Sequence, residues 1–274
     1  SFTTDAFTAA QRAAFTRAAN RWAEVITGDL PDVTFNGRVI DDLLIDAAAV
    51  AIDGPGGILG RAGPRQLRSV TSLPFYGIMD FDTADLGEME RDGTLFEVIL
   101  HEMGHVVGFG TIWSQKQLLS GAGTANPRFL GSNAAREYRA LFGVQETSVP
   151  VEGNSSPVGS RDSHWRESVF RNELMTPRIG NAGNPLSRVT VASLADLGYT
   201  VNMNAADPFA RPTVRVNGAA GVKPENANRL RGRFVALQPD RVQLAFAALA
   251  DSATGESSSS RKTGSLVRRA ERRA

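Results

Sequence analysis

The chain of 274 residues has no cysteine and only three histidines. Without cysteine there are no disulfides, thiolate zinc fingers, iron–sulfur clusters, catalytic thiols or cysteine-based latency switches, and the redox compartment cannot be read from thiol usage. Scarce histidine confines soft metal or general-base chemistry to His101, His105 and His164. An excess of one charge is also missing. Thirty Lys and Arg against 29 Asp and Glu give +1, which lacks the broad basic footprint of a nucleic-acid binder, so no nucleic-acid partner is expected. No apolar run approaches the roughly 20 residues of a membrane helix, so no membrane span is expected. Ser1 opens the chain with neither methionine nor a basic-plus-apolar leader, which reads as either a processed chain or an expressed segment, with any signal peptide or propeptide outside it.

The composition is that of an ordinary globular protein, 42% hydrophobic and 22% charged, sufficient for one large domain or two smaller ones. Apolar steps of three and four from Phe7 to Val25 predict an amphipathic helix over 5–27, stopped by Gly28. Strands are expected at 39–45 and 47–52, then a tight loop at Asp53-Gly54-Pro55-Gly56-Gly57. Short extended pieces follow at 58–62 and 73–81, separated by Gly-Pro punctuation. A helix over 94–107 opens on Thr94 and Glu97 as a capping box and stops at Gly108 and Gly110. Residues 111–163 read as a long irregular insertion with one helix at 134–142, capped by Asn133 and stopped by Gly143, and a last helix covers 189–197 before Gly198. Residues 211–274 read as a tail, of disordered composition, or as part of an appended module. Asn154-Ser155-Ser156 fits a glycosylation acceptor, a short and common pattern.

Chemistry concentrates in His101-Glu102-x-x-His105. On a helix, a spacing of four puts both imidazoles on one face, able to grip one ion, and zinc suits the pair. Glu102 lies one residue round, placed to take a proton from water activated by the ion without being a ligand. A chance occurrence of this pattern among three histidines is on the order of one in a thousand, which favours zinc over a pair of packed helix histidines. Catalytic zinc takes three protein ligands and leaves a position open. His164 or Glu137 is the candidate third donor.

Gly108, three residues after His105, and Met175 within Asn172-Glu173-Leu174-Met175-Thr176-Pro177 resemble the extended helix motif and methionine turn of metzincin zinc peptidases. Most metzincins place the third histidine ten residues after the first, where this chain has Thr111. A long insertion before His164-Trp165, together with Phe129-x-Gly131, Val149-Pro150-Val151-Glu152 and Leu194-x-x-Leu197-Gly198-Tyr199, resembles the leishmanolysin family over about residues 6–209. The resemblance implies an α+β metzincin-type fold. Its parts would be a twisted mixed sheet with the active-site helix in an N-terminal subdomain (1–110), an irregular C-terminal subdomain (111–210) and the remainder (211–274).

It further implies a secreted or extracellular, monomeric zinc endopeptidase acting on protein or peptide substrates. One catalytic Zn²⁺ would be held by His101, His105 and His164, with Glu102 as general base and Met175 as the floor beneath the metal. A catalytically silent zinc-binding adhesin or structural module on the same fold is the alternative. The loop from Asp53 to Leu59 also resembles the matrixin stretch that binds structural calcium and continues as a substrate-binding edge. On that likeness Asp53, Gly54, Gly56, Ile58, Asp82 and Asp85 are candidate Ca²⁺ ligands. Leu59, Gly60 and Arg61 are candidates for backbone pairing with an extended peptide.

Overall fold

The computed structural model describes residues 1–179, 183–212 and 233–237. The expectation for residues 211–274 therefore falls for the most part outside the described residues.

Helix α1, Ala9–Val25, buries Gln11, Ala14, Phe15, Ala18, Trp22 and Val25, the face anticipated from the apolar steps. It begins later than expected because Thr8 and Gln11 form a reciprocal capping box. Phe7 remains in the apolar pattern by packing on Phe15, ring centroids 5.0 Å apart, ahead of the helix. Strands β1, Val33–Phe35, and β2, Arg38–Ile40, form a small antiparallel hairpin. Asn36 and Gly37 turn it with φ of 51° and 73°, a type I′ signature; β1 was not expected, and the single strand expected at 39–45 is divided between β2 and the next strand, which begins at Leu44.

The main sheet follows. Strand β3, Leu44–Val50, runs parallel to β5, Pro74–Asp82, and β4, Ile58–Leu67, runs antiparallel to β5. β4 does not stop at Gly63-Pro64. The pairing slips between Pro64 and Gln66, so a bulge takes up Arg65 directly after the residue that lacks an N–H. Helix α2, Leu86–Arg91, leads into α3, Leu95–Val106. The capping box expected at Thr94 is absent: Thr94 makes no side-chain cap bond, and its hydroxyl donates to the Met89 carbonyl instead. α3 buries every residue from Val98 to Val106, because the sheet covers one side, α1 another and the C-terminal half a third.

Residues 111–163 have more structure than expected. Strands β6 (Leu119–Ser120), β7 (Arg128–Phe129) and β8 (Val149–Pro150) form a three-stranded antiparallel sheet, with helix α4, Ser132–Phe142, between the last two. Strands of two residues carry no periodicity for a sequence to display. Helices α5, Glu167–Phe170, and α6, Arg188–Leu197, complete this half, and α6 ends on left-handed Gly198. Strand β9, Arg233–Ala236, pairs in parallel with β4, giving the sheet order β3-β5-β4-β9. No described helix is long and apolar enough to cross a membrane.

Candidate active site

Helix α3 delivers His101, Glu102 and His105, all fully buried. It ends at Gly108 (φ 111°), whose N–H donates to the His105 carbonyl at 3.2 Å, and the hydroxyl of Thr111 donates to the same carbonyl at 2.8 Å. Gly110 (φ 75°) then passes so close to the loop ahead of His164 that a Cβ there would lie 2.1 Å from the Ser163 carbonyl oxygen. Only glycine suits both the backbone sign and that approach.

The C-terminal half carries His164 to the same point. Val151 bridges to Trp165, the Glu152 N–H donates to the His164 carbonyl at 2.9 Å, and the Trp165 N–H donates to the Met175 carbonyl at 3.0 Å. The adjoining indole packs with Phe109 (5.0 Å), Trp113 (5.2 Å), Phe129 (5.6 Å) and Phe170 (5.6 Å), and its Nε1 donates to Thr190 at 2.8 Å. This aromatic cluster supplies by packing what cysteine-rich chains obtain from cross-links.

The three Nε2 atoms form a nearly equilateral triangle: 3.0 Å between His101 and His105, 3.1 Å between His101 and His164, and 3.0 Å between His105 and His164. Each Nδ1 faces a carbonyl oxygen: Leu174 at 2.7 Å, Phe109 at 2.9 Å and Ser160 at 2.8 Å respectively. A carbonyl accepts only, so each Nδ1 carries the proton and each Nε2 presents a lone pair. These mutual contacts are therefore not hydrogen bonds but three lone pairs converging in a buried space. Donor atoms at about 2.0–2.1 Å from one tetrahedral ion stand about 3.3 Å apart, so the triangle fits zinc with a few tenths of an ångström of expansion. Burial also holds the rings neutral. It lowers all three pKa values, that of His105 to about 4, and the neighbouring imidazoles lower His101 and His164 further.

Glu102 adds two buried carboxylate oxygens with no hydrogen-bond partner among the described residues. Burial, and secondarily the charge of Asp80, push its pKa well above the ordinary carboxylate range. An orphaned carboxylate beside converging imidazoles is costly as it stands and is suited to a cation with attendant water. Gly60 of β4 lies over it: a Cβ there would be 3.1 Å from Glu102 Oε1, a close approach that the missing side chain eases.

Met175 is fully buried. Its Sδ and Cε would each be 2.9 Å from a Cβ built at Gly104, so the thioether fills the notch between the two histidines of α3. The turn is anchored by Glu173, whose buried carboxylate accepts from the Met175 N–H (2.6 Å), from the Ser187 N–H and hydroxyl (3.1 and 2.8 Å), and from the Thr190 hydroxyl. Gly104 and Glu173 were not singled out by sequence reasoning, although each sits inside a quoted motif.

A family model described as leishmanolysin matches residues 31–211. The chain belongs to the leishmanolysin family. No curated protein matches it. Membership implies a zinc metallopeptidase, and the buried histidine trio is a group able to hold the ion. Glu137 is not part of that group. That carboxylate pairs with Arg188 at 2.9 Å and Arg136 at 3.4 Å, away from the trio.

The 53–58 loop is closed chiefly by backbone donors. Asp82 Oδ2 accepts from Ile52, Asp53 and Gly54, its Oδ1 accepts from Ala84, and Asp85 Oδ1 accepts from Gly56. Asp53 Oδ1 accepts from Ile58 at 2.7 Å. Leu59, Gly60 and Arg61 lie on β4 as expected, but β4 is not a free edge: β9 of the same chain covers it. Arg61 forms an ion pair with Asp80 at 2.9 Å. Asn154 Nδ2 donates to the Gly123 carbonyl at 3.2 Å.

Proposed function

We propose that this member of the leishmanolysin family is a zinc-dependent endopeptidase in which His101, His105 and His164 hold the ion and Glu102 is the general base. The observation that carries the reading is the buried triangle of three neutral imidazole nitrogens beside an unpartnered carboxylate. Zinc bound there would supply a Lewis acid, polarising the scissile carbonyl and acidifying water. Glu102, desolvated and free of competing donors, takes the proton of the attacking water and returns it to the leaving amine. The carbonyls of Leu174, Phe109 and Ser160 fix the rings in the tautomer that points Nε2 inward. Met175 supports α3 from below and takes no part in proton transfer. Residues 1–110 and 111–210 serve as the two halves of the cleft, and protein or extended peptide is the substrate, met in a secreted or extracellular setting.

Calcium at the 53–58 loop is a separate proposal. It rests on Asp85 Oδ2, which is buried with no hydrogen-bond partner among the described residues, while Asp82 is committed to backbone N–H groups.

Casein cleavage and bound zinc measured on wild type, Glu102→Ala and His164→Ala test the peptidase. Glu102→Ala should keep zinc and lose cleavage, and His164→Ala should lose much of both. Chelator-insensitive cleavage would overturn the zinc mechanism, and zinc-loaded wild type with an open cleft that never cleaves would leave the silent binding module as the better reading.

A further inference from the structure

Residues 233–237 run between the two halves of the molecule. β9 pairs in parallel with β4 in the register Ile58↔Arg233, Gly60↔Phe234, Arg61↔Val235 and Ala62↔Ala236. The next residue continues the contact, with the Leu237 N–H donating to the Ala62 carbonyl at 2.9 Å. Its neighbour faces the other way, since the Ala236 N–H donates to the Gly159 carbonyl at 3.1 Å. Two successive N–H groups thus clamp the strand between the main sheet and the C-terminal half, and Ala236 is 4% exposed.

Both anchor points adjoin catalytic groups. On the sheet side, Gly60 lies directly over Glu102. On the other side, Gly159 precedes Ser160, whose carbonyl orients His164 through Nδ1. A chain threaded between these walls lies where an extended substrate would have to lie to bring its carbonyl to the histidine trio. It is held through backbone groups, the means by which such a substrate would be recognised. The hold is also short: four residues of ladder at the end of a sheet, fewer bonds than any inner strand would lose on release.

We propose that residues 233–237 are a built-in pseudosubstrate, occupying the backbone-pairing site of the cleft and excluding peptide until displaced. This rests on the peptidase reading above, and it identifies the substrate as a chain in extended conformation gripped by Ala62 and Gly159.

The test uses the full zinc-loaded chain with Ala236→Pro and Leu237→Pro together, which removes both N–H donors. Ala236→Gly with Leu237→Ala, which keeps them, is the control. A fluorescent peptide hydroxamate reports occupancy without turnover, and a quenched casein peptide reports KM and kcat. Loss of two backbone hydrogen bonds should lower the probe Kd and KM about tenfold with kcat unchanged, while the control stays within twofold of wild type. A synthetic peptide of residues 231–240 should compete for the opened cleft, and a scrambled one should not. In the unmutated protein, saturating probe should speed hydrogen exchange at the Ala236 and Leu237 amides, which guards against a misfolded proline variant. Equal Kd in all three proteins together with unchanged exchange overturns the proposal. Tighter probe binding with no cleavage by any variant upholds the occupancy and removes the peptidase, and a probe that binds none of them overturns both.

Discussion

Gly110→Ala is the sharpest test of how the third histidine is positioned. Gly110 has φ of 75°, and the added Cβ would sit 2.1 Å from the Ser163 carbonyl oxygen. Real Cβ contacts under 3.0 Å are essentially unknown, so the Ser163 backbone must retreat by about 0.9 Å, the gap between those two distances, and His164 is its neighbour in the chain. The left-handed backbone alone costs about 1–2 kcal/mol. Gly143→Ala measures that cost in isolation, because φ is 66° there and nothing lies within 4 Å of the added carbon. Gly110→Ala should exceed it in urea unfolding, and competition against a chromophoric chelator should show zinc bound about 10- to 100-fold more weakly, as for other groups that orient metal ligands. If the two variants lose the same stability and both bind zinc like wild type, the close approach does not position His164 and the argument fails.

Asp82→Asn should destabilise the protein by about 2–3 kcal/mol, since four backbone N–H groups lose an ionised acceptor; urea denaturation in EGTA measures it without calcium. Any rise in Tm on adding calcium to wild type should vanish in Asp85→Asn, and no rise in wild type removes the ion from this loop. Zinc-free protein should lose stability as pH falls. Burial lowers the His105 pKa from 6.5 to about 4, so between those values the unfolded chain binds the proton that the folded one refuses, worth roughly 3 kcal/mol across the window. A zinc-free Tm that is flat from pH 7 to 4.5 would refute this.

The parts legible in the sequence were those with a long or rigid signature. The apolar steps of α1, the histidine spacing on α3, and the glycines closing α4 and α6 all follow from helix geometry, which repeats often enough to be read. His164 was one of two candidate third donors left by the scarcity of histidine, and the choice of it over Glu137, like the role of Met175, came through family resemblance, since nothing local in residues 160–175 distinguishes a ligand from a packed ring. What escaped was set by contacts across the fold. The Thr94 hydroxyl found a carbonyl on the preceding turn in place of a cap. The carbonyls that lock the imidazoles come from Leu174, Phe109 and Ser160, scattered over 65 positions from 109 to 174, and no sequence pattern announces a backbone acceptor. β9 was invisible because four extended residues beyond the matched family region gain their meaning only from the strand they meet. Asn36-Gly37 is different: its turn chemistry was written plainly, yet the strand assignment began only after it, at Val39, so β1 and the hairpin were missed.

The distance along the chain between two of the imidazoles has a consequence of its own. His105 and His164 stand 59 residues apart with their nitrogens 3.0 Å apart, so an ion bound between them closes a loop of that length. By the chain-entropy relation used for disulfides, closure of such a loop removes about 4 kcal/mol of freedom from the unfolded ensemble. In a protein without cysteine, the zinc would be the cross-link as well as the catalyst. Chelation would then unfasten the two halves at the same stroke that silences the chemistry, and the metal would serve as the molecule's removable staple.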